Sequence, residues 1–93
     1  MEISYKKKFF KDLKNIPVKD QIAIKSVLDS LRNAKSFELA HVDYAKMEGQ
    51  KPGQNYYRIR VGIYRIGVEY VKPDLIVILV ATRGTIYNVF PPM

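Results

Sequence analysis

The chain has 93 residues, is 47% hydrophobic and carries 16 basic against 9 acidic side chains, a net charge of +7. This length predicts a single domain over residues 1–93, and the apolar content excludes intrinsic disorder. The absence of cysteine excludes disulfides and thiolate chemistry, and the longest apolar run, seven residues at 75–81, excludes a membrane span. We therefore expect a cytoplasmic protein whose positive charge attracts nucleic acid, a ribosome or an acidic protein.

The first half of the chain predicts a short strand followed by two helices. Polar residues alternate with Ile3 and Tyr5, which indicates a strand over residues 2–5, although Ser4 is an alternative helix cap. Apolar residues then recur at helical spacing up to residue 16 and again over residues 18–35. Pro17 separates the two stretches, so we expect an antiparallel helical hairpin. Residues 36–54 predict an irregular connection with at most one short helical turn or strand.

Two strands joined by a tight turn at Gly62 form the centre of the predicted fold. Residues 56–61 and 63–70 alternate with period two, which is typical of half-buried strands. One set of side chains faces the core, and the opposite set contains three arginines (Arg58, Arg60 and Arg65). On the arginine side we expect open space at Gly67 and an ion pair between Arg65 and Glu69.

The last part of the chain predicts two further strands. Residues 75–81 form a continuous run of mainly β-branched and leucine side chains, typical of a strand covered on both faces, and residues 85–90 predict a short final strand. The order of elements predicts an α+β fold in which the helical hairpin packs on one face of an antiparallel sheet. The arginines would then lie on the other face.

Arginine combined with tyrosine is the main chemical feature of the sequence. His41 is the only histidine and cysteine is absent, so we expect no metal and no cofactor, and a histidine triad has no support. Glu48 is a candidate general base. Arginines can stabilise the phosphorane formed when an RNA 2′-hydroxyl attacks its own phosphate, and tyrosines can stack on bases or move protons. The alternative is that the arginines bind phosphate without chemistry.

Four segments together resemble toxins of the RelE/ParE superfamily from bacterial type II toxin–antitoxin systems. The matching segments are residues 3–13, 46–49, 57–66 and 83–87, which include paired Tyr-Arg-Ile-Arg and Tyr-Arg-Ile sequences before an Arg-x-x-x-Tyr ending. The resemblance implies a microbial-ribonuclease-like fold. It also implies ribosome-dependent, metal-independent mRNA cleavage that leaves 2′,3′-cyclic phosphate ends and inhibits translation. A cognate acidic antitoxin would wrap and neutralise the toxin.

The same resemblance implies roles for individual residues. Arg58 and Arg60 match positions that bind RNA, and Arg65 matches an arginine that stabilises the transition state. Arg83 matches a second arginine or general acid, and Tyr87 matches a tyrosine that stacks on or orients the substrate.

Two positions depart from the family pattern, and the general base has no counterpart. Relatives often have aspartate where Ile63 stands and histidine where Thr82 stands. Lysines of well-known RelE toxins are arginines in this chain, and arginine stays protonated at neutral pH. Two alternatives therefore stand beside the ribonuclease: a ParE-like poison of DNA gyrase, and a catalytically inactive nucleic-acid-binding relative.

Overall fold

A five-stranded sheet is the framework of the computed structural model, which describes residues 1–91. The strands lie in the order β1-β5-β4-β3-β2, with β1 parallel to β5 and every other neighbouring pair antiparallel. The α+β prediction is confirmed, although the β1–β5 pair makes the sheet mixed. In chain order the elements are β1 (Glu2–Tyr5), α1 (Lys7–Leu13), α2 (Val18–Arg32), α3 (Phe37–Ala40), β2 (Tyr44–Lys46), β3 (Tyr56–Val61), β4 (Tyr64–Val71), β5 (Asp74–Thr82) and α4 (Ile86–Val89).

The β3–β4 hairpin matches the alternation of its sequence. Its two-residue turn begins at Gly62, whose φ of +61° is a conformation that glycine adopts without steric cost. Ile59 pairs with Ile66, and both side chains are fully buried. Arg60 pairs with Arg65 one position nearer to the turn, so these two side chains share the opposite face. The predicted turn and the predicted faces are therefore confirmed.

The main hydrophobic core lies between the helices and one face of the sheet. Phe9 from α1 and Leu28 and Leu31 from α2 pack with buried residues of the central strands. Ser4 lies within β1, so its alternative role as a helix cap is wrong. The irregular connection contains both α3 and β2, and the Leu39 N–H donates to Ser36 Oγ at 3.3 Å to cap α3.

A smaller core lies on the other face of the sheet. It consists of Met47, Leu79, Ile86 and Phe90. A register shift at Gly67/Val68 leaves Ile78 without a partner in β4, and Ile78 and Leu79 both pack toward this smaller core. β5 is thus covered on both faces, as its apolar run predicts.

The predicted final strand over residues 85–90 is wrong, because this segment contains α4. The chain turns after β5, where the Thr85 N–H donates to the Thr82 carbonyl at 3.0 Å. Ile86 and Phe90 are four residues apart and both buried, and helical geometry brings that spacing onto one face. No helix within residues 1–91 has the length and apolar character that crossing a membrane requires.

Candidate functional site

Three arginines lie side by side on the face of the sheet that α1 and α2 leave uncovered. Arg58 and Arg60 are alternate residues of β3, so their side chains leave the same face about 6–7 Å apart. Arg65 stands directly across from Arg60 on β4. Rigid, hydrogen-bonded strands therefore place three guanidinium groups on one surface before any ligand binds.

These arginines line a cleft of about 180 Å³, which we call the arginine cleft. Its walls consist of Asp43, Ala45, Arg58, Arg60, Arg65 and Tyr87. Four of the five predicted site residues thus come together in one place. Arg83, the fifth, follows β5 and is not part of the wall, but its N–H donates to the Ile63 carbonyl at 2.9 Å and holds it beside the β3–β4 turn.

Arg65 is the most constrained of the arginines. Its Nη1 donates to the carbonyls of Gly62 at 3.0 Å and Tyr64 at 2.8 Å. Burial, and then repulsion from Arg60 and Arg83, lower the pKa of the Arg65 guanidinium from its usual value. Because Nη1 uses both of its hydrogens on the backbone, Nη2 and Nε are left to donate toward the cleft.

Tyr87 extends from α4 over the arginines. The Arg58 guanidinium carbon lies 5.7 Å from the centre of the Tyr87 ring, within the range of a cation–π interaction. The Tyr87 side chain is 61% exposed, so it is not a core residue and its ring is open to solvent. Ile86 at the start of α4 and Phe90 directly after its end are buried and anchor the helix to the sheet.

The open space predicted at Gly67 is wrong, because the Phe90 ring fills it. A Cβ atom on Gly67 would lie 3.0 Å from three carbons of that ring, closer than ordinary packing allows. Gly67 stands opposite Arg58, which lines the arginine cleft, in the strand register. The missing side chain therefore lets α4 approach the sheet and brings Tyr87 to Arg58.

The arginine cluster keeps its positive charge uncompensated by ion pairs. Within residues 1–91 the ion pairs are Lys8–Asp12 and Arg32–Asp29, both outside the cleft. The predicted Arg65–Glu69 pair is wrong, since four residues along a strand span about 13 Å. Cations held together without an ion-pair partner favour an anionic ligand.

The other residues considered for chemistry lie outside the arginine cleft. His41 is exposed at the end of α3, and Glu48 is exposed in the loop after β2. Neither lines the cleft wall. No group of three or more potential metal ligands occurs in the described part of the chain.

A second feature, an apolar groove between α1 and α2, lies on the other side of the molecule. Its cavity measures about 420 Å³, and we call it the helical groove. Phe10, Val18 and Ile22 line it and are 50%, 69% and 65% exposed. Exposed apolar side chains gathered around one groove are a common mark of a protein-binding surface.

No protein-family model matches the chain, but a curated relative does. The chain is 38% identical over 91 residues to Toxin RelE3 of Methanocaldococcus jannaschii, covering 98% of this chain and 100% of that protein. This chain belongs to the RelE toxin family. The family predicted from the sequence and its toxin function are confirmed.

Solved structures agree with this assignment. The RelE fold is shared with the RelB–RelE antitoxin–toxin complex from Methanococcus jannaschii, at 39% identity and a TM-score of 0.76 over 94% of this chain and 98% of that one. The archaeal RelE–RelB complex from Pyrococcus horikoshii OT3 is 21% identical, with a TM-score of 0.69 over 89% and 94% of the two chains. YafQ from E. coli strain BL21(DE3) is 19% identical, with a TM-score of 0.71 over 97% and 98%. The last two support the fold alone.

Sequence reasoning missed Asp43 and the helical groove. Asp43 precedes a strand of only three residues, and nothing in the sequence shows that β2 pairs with β3 beside the arginines. Phe10 and Ile22 fit the apolar stripes of their helices, a pattern that does not distinguish them from buried residues. The exposure of Ile22 could have been anticipated, because this residue lies at the margin of the apolar stripe of α2.

Proposed function

We propose that this RelE-family protein is a ribosome-dependent endoribonuclease that cleaves mRNA without a metal ion and thereby inhibits translation. The observation that carries the proposal is the arginine cleft, where guanidinium groups without an ion-pair partner lie beside an exposed tyrosine ring. Such a surface matches a phosphodiester next to an unstacked base. This function requires the cytoplasm, where ribosomes translate.

The positions of the residues in and beside the cleft indicate a separate role for each. Arg58 and Arg60 on β3 hold the phosphates that flank the scissile bond. Arg65 is fixed by two backbone carbonyls, so its remaining N–H groups can donate to the phosphorane oxygens as negative charge develops there. Arg83 adds positive charge from the end of β5. Tyr87 offers an open ring on which a base can stack.

Cleavage of a defined mRNA on purified, programmed ribosomes tests this proposal. The parent protein should cut the message, and Arg65→Ala should cut it about 10²- to 10³-fold more slowly, the usual cost of one lost transition-state donor. Arg32→Ala is the matched control, because Arg32 is an exposed arginine paired with Asp29 and far from the cleft. Equal rates for the parent and Arg65→Ala would refute the role of Arg65.

The purified protein also distinguishes the two alternative functions, gyrase poisoning and binding without cleavage. A ParE-like protein would leave mRNA intact and trap gyrase on cleaved DNA in a supercoiling assay. A binding-only relative would leave both nucleic acids intact while still binding ribosomes in a pelleting assay. Either result would reject the ribonuclease proposal.

We further propose that an acidic antitoxin, encoded beside this protein, neutralises it by occupying both surfaces. The net charge of +7 favours an acidic partner, and the helical groove offers exposed apolar contacts with Lys25 and Arg32 in its lining. An amphipathic helix would lay its apolar face in the helical groove, and an acidic segment would cover the arginine cleft. The relative from Methanococcus jannaschii, at 39% identity, has been solved as an antitoxin–toxin complex, which agrees with such a partner.

Charge placed in the helical groove tests this partner surface. Ile22→Asp should weaken co-purification with the product of the neighbouring gene by at least tenfold, because the apolar contact is lost. Ala23→Asp changes an exposed neighbour that does not line the groove, and it serves as the control. If both variants bind the antitoxin as the parent does, the helical groove is not its binding site.

A further inference from the structure

The arginine cleft contains one carboxylate in its wall. Asp43 lies immediately before β2 and lines the cleft with Arg58, Arg60, Arg65 and Tyr87. Its backbone carbonyl accepts a hydrogen bond from the Arg60 N–H at 2.8 Å. The main chain at Asp43 is therefore tied to the strand that presents two of the arginines.

The Asp43 side chain is not engaged by those arginines. Asp43 is exposed, and it belongs to neither of the ion pairs found in residues 1–91. The guanidinium of Arg65 instead donates from Nη1 to backbone carbonyls. A carboxylate that lines a cluster of cations and forms no ion pair with them remains available to a ligand.

Proton transfer in this cleft requires a group that can accept a proton. Guanidinium groups remain protonated at neutral pH, and phenols ordinarily do so as well. Of the three kinds of group, guanidinium, phenol and carboxylate, only the carboxylate is normally deprotonated at that pH and able to accept a proton. The wall of the cleft contains one such group, at Asp43, while Glu48 lies outside it.

We propose that Asp43 is the general base of the reaction, an inference that rests on the proposed RNA cleavage. The Asp43 carboxylate takes the proton of the 2′-hydroxyl while the 2′ oxygen forms a bond to the adjacent phosphorus. The bond from phosphorus to the 5′ oxygen breaks, which leaves a 2′,3′-cyclic phosphate. The 5′ oxygen takes a proton from a water molecule of the open cleft, and the resulting hydroxide removes the proton from Asp43, so that no net charge or proton is gained.

The neighbouring arginines make this role compatible with a bound phosphate. The phosphodiester brings negative charge toward a carboxylate, and the surrounding cations offset that repulsion. Asp43→Asn should therefore preserve or improve RNA binding while removing the proton acceptor. This separates a base from a residue that merely shapes the cleft.

Single-turnover cleavage on programmed ribosomes, measured against pH, tests the assignment. Asp43→Asn should lower the maximal rate by about 10²- to 10⁴-fold, the usual contribution of a general base, with an unchanged or lower protein concentration for half-saturation. The acidic limb of the parent's pH–rate profile should disappear in this variant. Asp43→Glu should recover part of the rate, and Glu48→Gln, the matched carboxylate outside the cleft, should retain the parent's rate and profile.

Several outcomes would overturn the assignment. A rate for Asp43→Asn equal to the parent's would overturn it, and so would a lower rate that keeps the parent's pH profile. An equal loss in Glu48→Gln would shift the base to the loop after β2. Thermal melts of each variant identify a loss that comes from unfolding, and Asp43→Glu then provides the folded comparison. If the parent itself leaves RNA intact, the proposed function fails; a cleaving parent with an equally active Asp43→Asn rejects only the base.

Discussion

The two faces of the sheet differ in what covers them and in what their side chains do. On one face, α1 and α2 bury apolar residues that are almost fully inaccessible, such as Leu31 and Ile66. On the other face, the small α4 covers only part of the surface and leaves the arginines open. The same strands serve both faces, because successive residues point in opposite directions. Stability and recognition are thereby assigned to alternate residues of one hairpin.

This division explains how a small domain can hold so many like charges together. The arginines repel one another, which lowers the pKa of Arg65 after burial has already done so. Backbone pairing in β3 and β4 and the apolar core behind them hold the strands in place against that repulsion. A ligand phosphate would relieve it. The arginine face is thus arranged for a ligand, while the helical face supplies the folding energy.

Adjacent residues of β4 give the sharpest test of this division. Ile66→Ala removes a fully buried side chain and should lower the free energy of unfolding by about 2–5 kcal/mol. Arg65→Ala, one residue earlier and on the opposite face, should lower it by no more than about 1.5 kcal/mol, because relief of the repulsion from Arg60 and Arg83 offsets the loss of two hydrogen bonds to backbone carbonyls. Urea denaturation followed by circular dichroism measures both. A larger loss of stability in Arg65→Ala than in Ile66→Ala would contradict the division.

Gly67→Ala tests the contact between Gly67 and the Phe90 ring, on which the position of Tyr87 depends. The new methyl group would press on the Phe90 ring, which should cost about 1–3 kcal/mol of stability and displace α4. Tyr87 would then leave Arg58, and the upfield ring-current shift of the Arg58 side-chain protons should diminish in NMR spectra. Gly84→Ala is the control, because a Cβ there meets nothing within 4 Å.

A second substitution checks the cause of the Gly67→Ala effect. Phe90→Leu reduces the side chain that the methyl group strikes, so the double variant should regain part of the lost contact between Tyr87 and Arg58. If the double variant behaves as the sum of the two single changes, the pair is not coupled and the Phe90 ring does not set the position of α4.

Tyr87 distinguishes stacking from proton transfer. Stacking predicts that Tyr87→Phe keeps most of the cleavage activity, whereas Tyr87→Ala loses the equivalent of roughly 1–3 kcal/mol of substrate binding. Because the side chain is 61% exposed, Tyr87→Ala should leave the melting temperature close to that of the parent. Kinetics and thermal melts of both variants measure this. A stable but inactive Tyr87→Phe would make the phenol the proton carrier.

Among these substitutions, we expect neutralisation of Arg60 to have the smallest effect, and to affect binding alone. Neutralising a phosphate contact should weaken ribosome or RNA binding for all sequences and reduce the slope of log affinity against log salt by about one unit. Arg60→Gln keeps a polar side chain while removing the charge. Fluorescence anisotropy with two unrelated RNAs over a salt series measures it, and a loss confined to one RNA would indicate base recognition instead.

Much of the fold could be predicted from local patterns because those patterns have strong physical causes. The alternation around Gly62 determined the faces of the hairpin, and the apolar run at residues 75–81 indicated a strand buried on both sides. The final helix was not predictable in the same way. Residues 85–90 are rich in strand-forming types, yet tertiary packing of Ile86 and Phe90 against the second face overrides that propensity.

The candidate site was predicted in part. Arg58, Arg60 and Arg65 share one hairpin, so their proximity followed from local geometry. Arg83 and Tyr87 were included only because of the family resemblance. Asp43 was missed because its place beside β3 depends on a long-range strand pair that starts from an irregular segment. Gly67 was misread because alternation identifies which face a residue occupies but not what packs against it.

The chemistry of the RNA ends tests the central claim most directly. After the protein is induced, total RNA should contain new mRNA fragments that end in 2′,3′-cyclic phosphate, and these should be absent when Arg65→Ala is induced to the same level. The cyclic end records attack by the 2′-hydroxyl, the step that the arginine cleft is proposed to promote. New fragments bearing 3′-hydroxyl ends, or growth arrest with intact mRNA, would contradict the account.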